Sequence, residues 1–140
     1  PPLRPFAIHC TRKGGAAEGA TGNEYSNVIR VSYGAASFLF TGDLVAEQEK
    51  AMLVEGKNPQ CTVLKVAHHG SKTSTTEDFL AAAQPRLAII SVGRDNNFGH
   101  PAPEVIGRLQ KNGIKIYRTD EDGAVVCRTD GKTLRVETFR

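Results

Sequence analysis

Apolar positions along the chain fall in short runs broken by glycine, proline and asparagine, and each run has a period that selects an element. Val28, Ile29 and Val31, followed across Gly34-Ala35-Ala36 by Phe38-Leu39-Phe40, predict two antiparallel strands joined by a tight turn. Upstream, Phe6-Ala7-Ile8-His9-Cys10 predicts a short buried strand, and the Gly-, Ala- and polar-rich residues 11–23 a long loop. Residues 44–55 are good helix formers, with Leu44, Gln48, Ala51 and Met52 on one face and Gly56 placed to stop the helix. Residues 62–67 predict a strand that runs straight into His68-His69-Gly70-Ser71. Ser74-Thr75-Thr76-Glu77 has the spacing of a capping box ahead of a short helix through Phe79 and Leu80. After Pro85, residues 87–92 read as a buried strand that ends in the polar stretch 94–100. Pro101, Pro103 and Glu104 suit the first turn of a helix through Val105, Ile106 and Leu109, stopped at Asn112-Gly113. Three further strands, around Ile114–Tyr117, Ala124–Cys127 and Leu134–Val136, are linked by turns at Asp122-Gly123 and Asp130-Gly131. The pattern is an α/β one, rich in strands, with three interspersed helices.

Composition narrows this little. The 140 residues, 39% hydrophobic, suffice for one core and not for two full domains. There is no apolar run near the roughly 20 residues that a membrane helix needs, so this chain carries no membrane segment. The formal charge of +3 leans towards anionic partners, but Lys and Arg are interspersed with Asp and Glu and form no block. Cys10, Cys61 and Cys127 lie far apart beside apolar stretches, which favours reduced thiols and a cytoplasmic setting for the chain as given. A membrane-attached or exported parent remains open.

Candidate chemistry sits at strand ends. Asp43, the pair His68-His69, and His100 each follow a predicted strand, at the edge where open α/β sheets build their sites. Carboxylate and imidazole together suit zinc, and also manganese or iron, so the pattern points to a divalent cation activating water. Each residue alone has a plainer reading. Asp43 is placed to cap the next helix, and a lone His100 before a proline is ordinarily a loop residue. Two adjacent imidazoles at a strand end, by contrast, gain nothing in packing.

Thr41-Gly42-Asp43-Leu44, the run from Leu64 to Ser71, the run from Ile89 to Pro101, and Tyr117-Arg118-Thr119-Asp120 closely resemble the metallo-β-lactamase-like domain of the ComEC family of bacterial DNA-uptake proteins and its stand-alone relatives. The resemblance covers about residues 25–126. It implies the carboxy-terminal half of a metallo-β-lactamase αββα sandwich, a mixed β-sheet with flanking helices. The expected division is 1–24 as leading strand and glycine-rich loop, and 25–140 as that half-domain. By the same resemblance Asp43 is the aspartate bridging two metal ions, and His69 closes the second metal site. His68 is its neighbour on the substrate side, and His100 acts near the scissile group as general acid or by steadying negative charge. Ser71, with the Gly70 backbone, holds a phosphate oxygen.

One departure qualifies all of this. The family's principal metal motif, His-x-(His or Asp)-x-Asp-His, is not in the chain, and with only His9, His68, His69 and His100 the usual dinuclear ligand set cannot be completed. His9 reads as a structural histidine in an apolar strand. The expectation is a fragment whose amino-terminal half precedes Pro1. The parent is then a hydrolase with two divalent ions, zinc or manganese, using a bridging hydroxide to cleave a phosphodiester such as single-stranded DNA. The alternatives are a stand-alone relative acting on another phosphoester or a lactone-like substrate, and a degenerate, non-catalytic module that binds an anion or a partner chain.

Overall fold

The structure, a computed structural model, describes residues 7–9, as backbone, and residues 26–140. The glycine-rich loop, Cys10 and the His9 side chain lie outside the described residues.

Six strands form the main sheet, in the order of the chain: β1 (Ala7–His9), β2 (Val28–Tyr33), β3 (Ala36–Phe40), β4 (Val63–Lys65), β5 (Leu87–Ile90) and β6 (Lys115–Arg118). The first three are antiparallel neighbours, and β3 through β6 run parallel. Parallel neighbours need long crossovers, which here are helices: α1 (Ala46–Val54), α2 (Glu77–Ala83) and α3 (Pro103–Lys111). Leu39, Leu64 and Ala88 stand side by side across β3, β4 and β5 and are at most 2% exposed. Met52 of α1, Phe79 and Leu80 of α2, and Val105 and Leu109 of α3 close over them in one core. Val105 and Leu109 are four residues apart, so they share one face of α3, while Pro103 opens that helix where a missing N–H costs nothing.

The next position along each strand points the other way. Phe40, Lys65, Ile89 and Tyr117 are in register, and none of them is buried; Phe40 is 45% exposed. A hairpin of β7 (Ala124–Thr129) and β8 (Leu134–Phe139) forms a second sheet. It is tied to the β2–β3 turn by Ala35 N–H donating to the Gly131 carbonyl at 2.7 Å. Gly34, at φ +58°, lies so close to Gly131 that a Cβ there would collide with its backbone.

Three local expectations are corrected. The helix expected from residue 44 begins at Ala46, because Gly42 (φ +54°) turns the chain and Val45 N–H is capped by the Gln48 side chain at 3.1 Å. Leu44 is nevertheless completely buried. Ser74 is not the helix cap. Thr76 is, its hydroxyl accepting from Phe79 N–H at 3.3 Å, while the buried Ser74 hydroxyl turns back to the carbonyls of Ala67 and Ser71. Between β6 and β7 stands not a bare turn but a single helical turn, α4 (Thr119–Asp122), whose Asp122 carboxylate accepts from Arg118 N–H at 2.7 Å. Among the described residues no helix is long and apolar enough to cross a membrane.

Candidate metal centre

Side by side at their carboxyl ends, β3, β4 and β5 release three segments that carry Asp43, His68-His69 and His100. The first two are stitched together. The buried Thr41 hydroxyl donates to the Lys65 carbonyl at 2.8 Å, and His68 N–H donates to the Gly42 carbonyl at 3.0 Å. Asp43 N–H is taken by the Ser26 hydroxyl at 3.0 Å. The helix-capping reading of Asp43 therefore fails: Val45 occupies the cap position, and the carboxylate turns towards His69.

His68 and His69 both adopt left-handed backbone angles, φ +48° and +54°, which cost a residue with a Cβ and survive only where the surroundings impose them. Here the imposition comes from Gly70 (φ +81°), which approaches Pro101 so closely that a Cβ would fall 2.7 Å from the Pro101 ring. Ala102 N–H bonds the Gly70 carbonyl at 2.8 Å. The outcome is that the His69 ring stands half-exposed at the sheet edge, with Nδ1 2.7 Å from the Ser91 carbonyl oxygen. A carbonyl only accepts, so Nδ1 carries a proton, and in the neutral tautomer Nε2 is the nitrogen with the lone pair. Nε2 lies 3.8 Å from Oδ1 of Asp43, beyond hydrogen-bond range. Two donor atoms on one tetrahedral zinc ion lie roughly 3.3–3.5 Å apart, so a small closure would let both bind one cation. Backbone-anchored imidazole is the usual outer support of a metal-bound histidine. The donor chemistry fits a divalent metal in part: among the described residues no cluster of three or more His, Cys, Asp or Glu groups is poised to hold an ion.

His68 and His100 lie beside this pair, their rings edge to face with centroids 5.9 Å apart. The Nδ1 atoms of both are buried and have no hydrogen-bond partner among the described residues. Burial, and then the neighbouring His68 and His69, hold the His100 imidazole below its usual range, so at neutral pH it is uncharged. Lys65, half-buried at the end of β4, is pushed below the ordinary ammonium range by burial, with the Asp43 charge opposing. Ser71 is placed differently from the expectation: it is 6% exposed, and its hydroxyl is engaged by the Thr73 hydroxyl and N–H. Gly70 is pressed on Pro101 at the same step.

Several supporting residues escaped the sequence reading. The fully buried Glu49 of α1 accepts from Thr75 N–H at 2.5 Å and Thr76 N–H at 2.9 Å, and Arg108 of α3 clasps the carbonyls of Lys72, Ser74 and Thr75. Together they fix the segment that follows His69. The Thr119 hydroxyl accepts from Val92 N–H and donates to the Val92 carbonyl, both at 2.8 Å, fixing the strand end that offers Ser91 to His69. Asn96 spans its own loop, bonding the Gly93 and His100 carbonyls and the Phe98 and His100 N–H groups. Glu49 lies off the face of Leu44, Gln48, Ala51 and Met52 and gives no signal in the helical spacing, while Thr119 and Asn96 fall inside two of the blocks that carry the family resemblance but show their bonding roles only with their partners.

Comparison with known proteins places these features in a wider group. A family profile described as the metallo-beta-lactamase superfamily matches residues 14–94. ComE operon protein 3 of Bacillus subtilis is 40% identical over 124 residues, covering 89% of this chain and 16% of that protein. Competence protein ComA of Neisseria gonorrhoeae is 41% identical over 104 residues, 74% of this chain and 15% of that protein. YcaI of Escherichia coli is 32% identical over 120 residues, 85% and 16% respectively. The chain thus spans about 15–16% of the length of these relatives.

Proposed function

The chain belongs to the metallo-beta-lactamase superfamily, and from that membership we propose that it supplies part of the metal site of a hydrolase acting on phosphodiesters, with single-stranded DNA as the substrate. The observation that carries the reading is the His69 ring, anchored through Nδ1 to Ser91 so that a bare Nε2 faces the Asp43 carboxylate. A carboxylate facing Nε2 in this way draws positive charge, a proton or a metal cation, into the gap between them. Asp43 and His69 would hold that cation, zinc or manganese. The remaining ligands and a second ion would come from parts of the full-length protein beyond these residues, the amino-terminal half of the same domain. A bound divalent cation supplies Lewis-acid polarisation and makes water acidic enough to attack near neutral pH. His100, uncharged, can donate a hydrogen bond to charge building on the phosphate, and His68 walls the same cleft. The name of one relative, Competence protein ComA, and the net charge of +3 support an anionic substrate such as DNA over a neutral one.

The test is manganese- or zinc-dependent cleavage of a single-stranded oligonucleotide by the full-length protein, beside Asp43→Ala and His69→Ala forms. We expect turnover that chelator removes, and a loss of at least a hundredfold in each variant. The 140-residue chain alone should release zinc on dialysis and show no turnover. Stoichiometric metal retained by the short chain would mean that further ligands lie within it. Chelator-insensitive binding without turnover in the full-length protein would point instead to a non-catalytic anion-binding module.

A further inference from the structure

Beyond His100 stands an aromatic ring that the metal site does not use. Phe98 is 81% exposed, the most exposed large apolar side chain among the described residues. Its ring lies 6.0 Å from that of His100 with only 25° between the planes, so the two face the same way in stacked array. The presentation is built. Asn96 Oδ1 accepts from the N–H of both Phe98 and His100, and the Asn96 amide donates to the Gly93 and His100 carbonyls, closing the loop on itself. Asp95 (φ +56°) and Gly99 (φ +69°) supply the left-handed turns on either side. Its chain neighbours Asp95, Asn97 and Gly99 are exposed and polar or small, so among the described residues of this loop Phe98 is the one exposed apolar side chain and not part of an apolar run of the kind that docks another protein.

We infer that Phe98 is a stacking platform for a nucleobase of the strand whose phosphodiester lies at His100. This rests on the phosphodiester reading above. A base has a π-face whatever its identity, so an isolated exposed ring next to a phosphate-handling site binds single strands without reading sequence. The ring sits next to His100 in the chain's fold, so the base it holds belongs to a nucleotide flanking the scissile group.

Binding of oligothymidylate and of an abasic strand of equal length is measured on the full-length protein, in metal and in chelator, for wild type, Phe98→Ala and Phe98→Trp. Phe98→Ala should lower the preference for the base-bearing strand by roughly five- to a hundredfold. Phe98→Trp should restore it. The chain has no tryptophan of its own, and the emission that the substitution adds over wild type should be quenched by oligothymidylate and not by the abasic strand. Equal losses on the two strands, an unquenched tryptophan on binding, or no binding of oligothymidylate in either condition would overturn the platform. Preference and quenching without cleavage would leave the platform standing and sink the hydrolase reading alone.

Discussion

The segments that leave β4 and β5 serve the same edge of the sheet and are held by opposite means. After β4, residues 66–76 are largely buried: Ser71, Ser74 and Thr75 are at most 6% exposed, and the backbone is gripped by a buried carboxylate from α1 and a guanidinium from α3. After β5, residues 93–100 are mostly exposed and hold their shape by one asparagine bonding within the loop and by Thr119 at its root. The first segment carries the strained His68-His69 pair, and the second carries Phe98 and His100. Strain survives where neighbouring elements overdetermine the backbone. A ring meant to meet a large ligand has to stand clear of that packing.

The sharpest way to break the comparison is Glu49→Ala. Two buried N–H groups would lose their acceptor, costing about 3 kcal/mol in all, read as a lower midpoint in urea. A loss under about 1 kcal/mol, the worth of one ordinary hydrogen bond, would mean that the 66–76 segment does not depend on α1. Burial raises the Glu49 carboxyl above its usual range, the Thr75 and Thr76 donors opposing. A raised native pKa means that the unfolded chain gives up its proton first. Stability from this group is therefore complete below the ordinary carboxylate pKa of about 4.3 and is lost as pH rises through the native value. Glu49→Gln should flatten that slope in a pH series of denaturation curves.

A smaller effect is expected at the root of the second segment. Thr119→Val deletes the hydroxyl that bonds both sides of Val92, at a cost of about 1.5 kcal/mol. Because Ser91 would then hold His69 less firmly, metal affinity of the full-length protein should fall about tenfold, measured by titration with a competing chelator. An unchanged affinity would separate the Thr119 bond from the orientation of His69.

Smallest is His69→Gly. Glycine adopts φ +54° freely, a gain of about 0.5–1 kcal/mol that offsets the lost Nδ1 hydrogen bond to the Ser91 carbonyl, so the urea-unfolding free energy should shift by less than about 1 kcal/mol while the metal site loses a ligand. A destabilisation above about 2 kcal/mol would show that packing, and not that one bond, holds the His69 ring.

Legibility followed range. The alternating or continuous apolar runs gave away β2 to β6 and all three long helices, since these depend on a residue's neighbours within a turn or two. Asp43, His69 and His100 were visible because a polar ligand type at a strand end departs from that pattern. Start points slipped where a longer contact competed: Leu44 belongs to the core but not to α1, and Ser74 spends its hydroxyl on Ala67 and Ser71 instead of on the helix end. Ser71, expected to help hold a phosphate oxygen, is 6% exposed with its hydroxyl bonded to Thr73, a contact between near neighbours that the run of motif residues does not reveal.

By itself, then, the sequence determined the α/β architecture, the order of strands and crossover helices, and the identity of the groups gathered at one sheet edge, because periodicity and glycine placement are local properties of the chain. Only the tertiary structure decided which His69 nitrogen is free, that Glu49 and Arg108 hold the segment behind it, and that Phe98 is left standing in solvent beside His100. Each of these depends on partners 22 to 36 residues distant or on what fails to cover a side chain. Neither quantity exists until the sheet has brought the strand ends together.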